Sequence, residues 1–164
     1  MVDPAYPFFS FFWSLMSPHT IITVADSDKH FASCIAEYTK RLGKDCQIIT
    51  LKPKRYDHHE KIIQEETDLI IKTLERYQGA YIIACSREGK MVDTMDIVQM
   101  TTWHPHCVWI VGGAFGYDEQ RISQVVDCKV AFWSITLQHT MTKLILLEQI
   151  YRAQMITQGR SYHY

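Results

Sequence analysis

The chain has 164 residues, of which 47% are hydrophobic, 12% aromatic and 21% charged. This is the length of one domain, since domains cluster at roughly 100–150 residues, and the apolar share is too high for intrinsic disorder. Seventeen Lys and Arg against eighteen Asp and Glu leave a net charge of −1. A polycationic nucleic-acid arm is thereby excluded, and any anionic partner has to be met by a local patch.

Residues 1–18 do not read like the rest. They hold Phe8, Phe9, Phe11, Phe12, Trp13, Leu15 and Met16 with no Lys or Arg. A signal peptide needs a positive leading region and a small-residue cleavage site, and a membrane span needs about 20 apolar residues. This stretch has none of these. It reads as an aromatic extension: either an anchor for a partner or membrane, or sequence ahead of an alternative start at Met16. Residues 19–164 read as a single domain. Nothing later in the chain has the length of a span, which predicts a soluble, cytoplasmic protein.

From Thr20 the chain alternates short apolar runs with longer amphipathic ones. Residues 20–25, 46–51, 80–85, 107–111 and 129–134 are rich in β-branched and aromatic residues and bounded by turn signals, so they predict buried strands. Helical spacing fills residues 27–42 and 57–77, with Ile63, Ile70, Leu74 and Tyr77 on one face. Residues 93–103 and 118–126 predict shorter helices. The alternation implies an α/β fold, a mostly parallel sheet with helices on both faces, whose ligands bind beyond the carboxyl ends of the strands.

The last predicted helix, residues 140–156, is apolar on most of its circumference and broken by Lys143, Glu148 and Arg152. Such a helix is buried within the domain or against a second subunit. Glu148 and Arg152 stand four apart and can pair along its surface.

Five cysteines, with no pair spaced as CxxC, argue against a disulfide framework or a zinc ribbon. His104, His106 and Cys107 lie together, but no second cluster completes a metal site, and none is expected.

Two loops can carry chemistry. Gly112, Gly113 and Gly116 follow the fourth strand, where glycine lets backbone approach a ligand closely; a tight strand-to-helix turn explains them equally well. Residues 134–139 follow the fifth strand and open the last helix, where Thr136 or His139 can also be a cap and a packed ring. The loops end consecutive predicted strands, so both belong on one rim of the sheet. Lys52–His59 is a basic run after the second strand. From residue 139 onward Lys143, Arg152 and Arg160 outnumber Glu148. Two such patches on a neutral chain suit a phosphate backbone, although solvated surface charge is the commoner explanation.

Thr136-Leu137-Gln138-His139, then Leu146 to Ala153 (LLEQIYRA), then the closing Tyr162-His163 resemble the C-terminal signature of the RlmH (YbeA-like) family. Gly112, Gly113, Gly116 and the Glu37–Leu42 stretch stand where that family has them, so the resemblance covers about residues 20–164. It implies the SPOUT α/β fold, with the C-terminal segment threaded into a trefoil knot. It also implies an S-adenosylmethionine-dependent methyltransferase acting as a homodimer on N3 of pseudouridine 1915 in helix 69 of 23S ribosomal RNA, on the assembled ribosome. Carried across, the donor would contact Cys85, Gly112 and the stretch Phe132, Trp133, Ser134, Ile135, Thr136 and Leu137. His139, Arg152, Tyr162 and His163 would face the substrate from the two subunits.

Three departures stand out. Gln138 replaces a common proline, which loosens a loop of fixed φ. Lys143 replaces a common Arg, which removes a bidentate phosphate fork and predicts altered substrate affinity. The glycine usual after the first strand is absent at Ala25-Asp26. Family members also often have Leu at Cys85 and smaller residues at Phe132 and Trp133, consistent with donor contacts made by the main chain. His163 is the first candidate for the base, because a terminal segment can close over the acceptor ring, and Arg152 can stabilise the deprotonated ring. Two other readings remain open at this point: a SPOUT methyltransferase acting on a different RNA, and a non-catalytic ribosome-binding protein of the same fold. A generic flavodoxin-like nucleotide binder leaves the C-terminal signature unexplained.

Overall fold

The computed structural model describes residues 17–25 and 30–160. The extension up to Met16, and Tyr162 and His163, lie outside the described residues. Five strands form one sheet: β1 (His19–Val24), β2 (Cys46–Leu51), β3 (Tyr81–Met91), β4 (Cys107–Val111) and β5 (Cys128–Ala131). All pairings are parallel, in the order β2-β1-β4-β3-β5. The helices are α1 (Ala32–Leu42), α2 (His59–Leu74), α3 (Thr94–Trp103), α4 (Glu119–Ser123) and α5 (His139–Thr157).

The strand sequences are apolar on both faces because both faces are covered. Ile21, Ile83, Trp109 and Val130 turn to one side and pack with Ile35, Ile97, Leu146 and Ile150 of α1, α3 and α5. Ile22, Ala84, Val108 and Ile110 turn to the other and pack with Ile70, Leu74 and Ile122 of α2 and α4. Alternation along each strand thus assigns successive residues to different layers. No helix among the described residues is long and apolar enough to cross a membrane.

Local signals set the helix ends. Asp93 and Asp96 form a reciprocal capping box that starts α3, and the Asp118 carboxylate accepts from two main-chain N–H groups to start α4. On α2 the buried face is Ile62, Glu66, Ile70 and Leu74, whereas Ile63 is only half-buried. Ile70 and Leu74 thus face inward as periodicity predicts, Tyr77 packs half-buried against the same layer, and only the first position differs, with Ile62 inward in place of Ile63.

Three expectations need correction. β5 ends at Ala131, because residues 132–138 leave the sheet as an extended loop, so Phe132–Ser134 are not strand. β3 does not end at Cys85: after an irregularity between Cys85 and Lys90, pairing resumes with Lys90 opposite Val130. Lys143 is 1% exposed within this single chain. It is therefore no member of a surface phosphate patch.

The His104–Cys107 segment is consumed by packing. His104 stacks on Tyr81 with ring centroids 3.6 Å apart, and His106 Nε2 lies 3.0 Å from Thr20 Oγ1. The Cys107 thiol donates to the Met100 carbonyl at 3.5 Å. Among the described residues no group of three or more His, Cys, Asp and Glu is arranged to hold a metal ion.

Candidate active site

The carboxyl end of β4, the irregular part of β3 and the loop after β5 enclose one crevice of about 730 Å³. Its walls are the glycine loop from Val111 to Tyr117, the β3 residues Cys85–Glu88, and Thr136–His139 with Thr142 at the start of α5. A smaller space of about 130 Å³ adjoins it, lined by Val130, Ala131, Phe132, Trp133, Ile135 and Leu137. The two spaces share Cys85, Ser86, Arg87, Thr136, Leu137 and Thr142. The two loops do meet on one rim, but they are not neighbours: β3 lies between β4 and β5, and its irregular end floors the crevice.

Two glycines shape the loop. A Cβ on Gly113 would run into the Glu66 carboxylate of α2, so only glycine lets the loop lie against that helix. Gly116 has φ +78°, a left-handed conformation that disfavours side chains, and its N–H donates to the Gly113 carbonyl at 3.1 Å to close the turn.

The backbone of residues 132–137 makes no main-chain hydrogen bond among the described residues; the nearest pairings are Val92 N–H to Ala131 C=O and Thr142 N–H to Gln138 C=O. A run of open donors and acceptors along a cavity wall is what a polar ligand needs, since every main-chain polar group seeks a partner.

Polar side chains fix the floor. The Tyr117 hydroxyl donates to the Cys85 carbonyl at 2.9 Å, and burial keeps that phenol protonated by raising its pKa. Burial, assisted by nearby Cys128, likewise raises the Cys85 thiol. Ser86 Oγ donates to Glu119 Oε1 at 2.6 Å and accepts from the Glu88 N–H at 3.0 Å. Lys129 Nζ lies 3.0 Å from Glu119 and 3.9 Å from Glu88, offsetting both carboxylates. Arg87 is exposed at the mouth.

Of the residues singled out from sequence, Cys85, Gly112, Thr136, Leu137 and His139 line the larger crevice. Phe132, Trp133 and Ile135 line the smaller space. Ser134 is exposed and lines neither. Arg152 is outside both, bound to Glu148 at 2.6 Å. Sequence reading missed Ser86–Glu88, Tyr117 and Glu119; the first three directly follow a recognised strand, and that position was the available signal.

A family model described as "Predicted SPOUT methyltransferase" matches residues 17–163. The chain belongs to the SPOUT methyltransferase family, in its RlmH branch. It is 36% identical over 142 residues to the ribosomal RNA large subunit methyltransferase H of Streptococcus equi subsp. equi, covering 79% of this chain and 87% of that protein. It is 32% identical over 156 residues to the protein of the same name from Leuconostoc mesenteroides, covering 87% and 97%. Among solved structures, one from Bacillus anthracis aligns with TM-score 0.58 at 13% identity, over 89% of this chain and 99% of that one. A "probable methylase family protein" from Haemophilus influenzae Rd KW20 aligns with TM-score 0.59 at 11% identity, over 92% and 72%. These structural likenesses establish the fold.

Proposed function

We propose that the protein is an S-adenosylmethionine-dependent methyltransferase that methylates N3 of pseudouridine 1915 in helix 69 of 23S ribosomal RNA, on the assembled ribosome and as a homodimer. The observation that carries this reading is the joint lining of one crevice by the glycine loop and the 136–139 segment in a chain of this family. The relatives named for large-subunit ribosomal RNA support the substrate class. A ribosomal substrate implies a cytoplasmic protein.

The residues present fit the donor. A space of about 730 Å³ lies within the usual range for cofactor pockets, roughly 300–1,000 Å³. Open main-chain groups of Phe132–Leu137 would hold it without side-chain specificity, which accounts for Phe132 and Trp133 in this stretch. Cys85 and Gly112 form the facing wall. The Cys85 thiol, kept protonated by burial, is a poor competitor for a methyl group.

When bound, the sulfonium supplies an already activated methyl group. The chain's residues would hold N3 of the acceptor in line with that methyl group and take the proton that N3 gives up. Holding acceptor and methyl in line can supply roughly 7–11 kcal/mol of the barrier, and a general base adds about 10²–10⁴-fold. His163 is the residue we assign to take that proton and Tyr162 a second substrate-side residue, while His139 on the crevice wall would orient the ring. Arg152 stabilises the deprotonated ring from the second subunit.

The dimer is supported by unburied apolar surface near the crevice. Trp133 is 54% exposed and Ile135 62%, with Met91 at the end of β3 and Met95 and Met141 at the starts of α3 and α5 also exposed. The same reading takes the segment after β5 as threaded into a trefoil knot. Its residues 136 and 137 share a cavity with Cys85–Arg87 of β3, an approach that supports such a crossing.

Mass spectrometry of 23S RNA from cells lacking the gene tests the assignment. Loss of one methyl group at that pseudouridine is expected. An unchanged position contradicts the substrate, and loss from another RNA reassigns it.

A further inference from the structure

The basic run after β2 is joined to the glycine loop. His59, the first residue of α2, stacks on Phe115 with ring centroids 4.1 Å apart and planes 25° from parallel. Further along α2, the buried Glu66 carboxylate accepts from the Lys54 N–H at 3.0 Å and lies against Gly113. The segment after β2 and the glycine loop after β4 are therefore tied to α2 and to each other at two points. In the same segment Lys61 Nζ sits 4.3 Å from the Tyr56 ring centroid. Tyr56 is 38% exposed and Phe115 45%. Residues 52–61 carry Lys52, Lys54, Arg55 and Lys61 against Asp57 and Glu60.

Exposed rings held rigid among cations suit one kind of partner. Unpaired bases stack on aromatic faces whatever their sequence, and lysines track the phosphates between them. A duplex offers no free base face, and a membrane surface needs no ring fixed against another ring. We propose that Tyr56, His59 and Phe115, flanked by Lys52 and Lys61, form a stacking platform for single-stranded RNA nucleotides next to the target base. The platform extends the crevice mouth, since Phe115 belongs to both. It rests on the RNA methyltransferase reading and names the surface that holds the flanking strand.

The test is steady-state methylation of ribosomes from cells lacking the gene, with S-adenosylmethionine as donor. Tyr56 lines neither cavity and its ring meets only Lys61 in the segment, so Tyr56→Ala should leave kcat and the donor KM within about twofold. The same variant should raise the ribosome KM about tenfold, the scale of removing one base stack. Lys52→Ala/Lys61→Ala should flatten the slope of log(kcat/KM) against log salt by about 1.4, near 0.7 for each single-strand phosphate no longer neutralised. An unchanged ribosome KM and salt slope in both variants overturns the platform while leaving the methyltransferase reading intact. A wild-type chain that methylates no ribosome overturns the reading, and the platform with it.

Discussion

His139 and Arg152 stand thirteen residues apart on α5, which puts them about 20 Å from one another along the helix axis. His139 lines the crevice, and Arg152 is tied to Glu148 away from it. One chain cannot bring both to one acceptor ring. If both serve catalysis, they do so across two subunits.

That geometry predicts complementation. His139→Ala and Arg152→Ala should each be strongly impaired alone. After mixing and subunit exchange, half the dimers are mixed and each mixed dimer has one intact site, so about a quarter of wild-type activity should return. Residues acting within one chain give no recovery. Activity of the mixture is the readout.

His163→Ala should lower turnover by about 10²–10⁴-fold while donor affinity stays near normal. Turnover at the wild-type level would remove His163 from proton transfer and leave His139 as the base.

Tyr117→Phe leaves the Cys85 carbonyl without its hydroxyl partner. The expected cost is about 1–3 kcal/mol of stability, measured by denaturant titration, with a raised donor KM because the crevice floor loosens. Gly116→Ala should cost about 1–2 kcal/mol, since φ there is +78°.

His19 gives the protein an acid sensitivity. It is 1% exposed, its Nδ1 accepts from Trp109 Nε1 at 3.2 Å, and its Nε2 has no partner among the described residues. Burial, with His106 adding a smaller electrostatic push, lowers its pKa from 6.5 to about 3. The unfolded chain therefore binds this proton first as pH falls. Stability is unaffected above about pH 6.5, declines between there and about 3, and levels below. The slope approaches 1.4 kcal/mol per pH unit, or about 2 kcal/mol lost by pH 5. Burial lowers His106 too, which adds to the same trend. Denaturant midpoints from pH 8 to 5 read this slope, and His19→Gln should flatten it.

Much of the fold is legible in the sequence because a doubly covered parallel sheet writes itself as short apolar runs. Val108, Trp109 and Ile110 are all buried, in alternating layers. Strand order is not written there. Insertion of β3 between β4 and β5 depends on non-local pairing, so the meeting of Ser86 with Tyr117 and Glu119 in one crevice could not be foreseen, although Ser86 by itself stands after a recognised strand. Lys143 misled for the opposite reason: a lysine on an apolar helix suggests solvent, yet this one is buried. His139, Thr136 and Gly112 were legible because position after a strand end already assigns a residue to the carboxyl rim.

Calorimetry of the intact protein with S-adenosylmethionine bears most directly on the central claim, that the crevice between residues 111–117 and 136–139 holds the methyl donor. Saturable binding at one site per chain, weakened when Gly112 is replaced by Val, is the expected result; a Cβ there meets the Tyr117 ring at 2.9 Å. Absence of any binding heat, with the chain folded and still associating with ribosomes, would contradict the claim and leave a ribosome-binding protein without this chemistry.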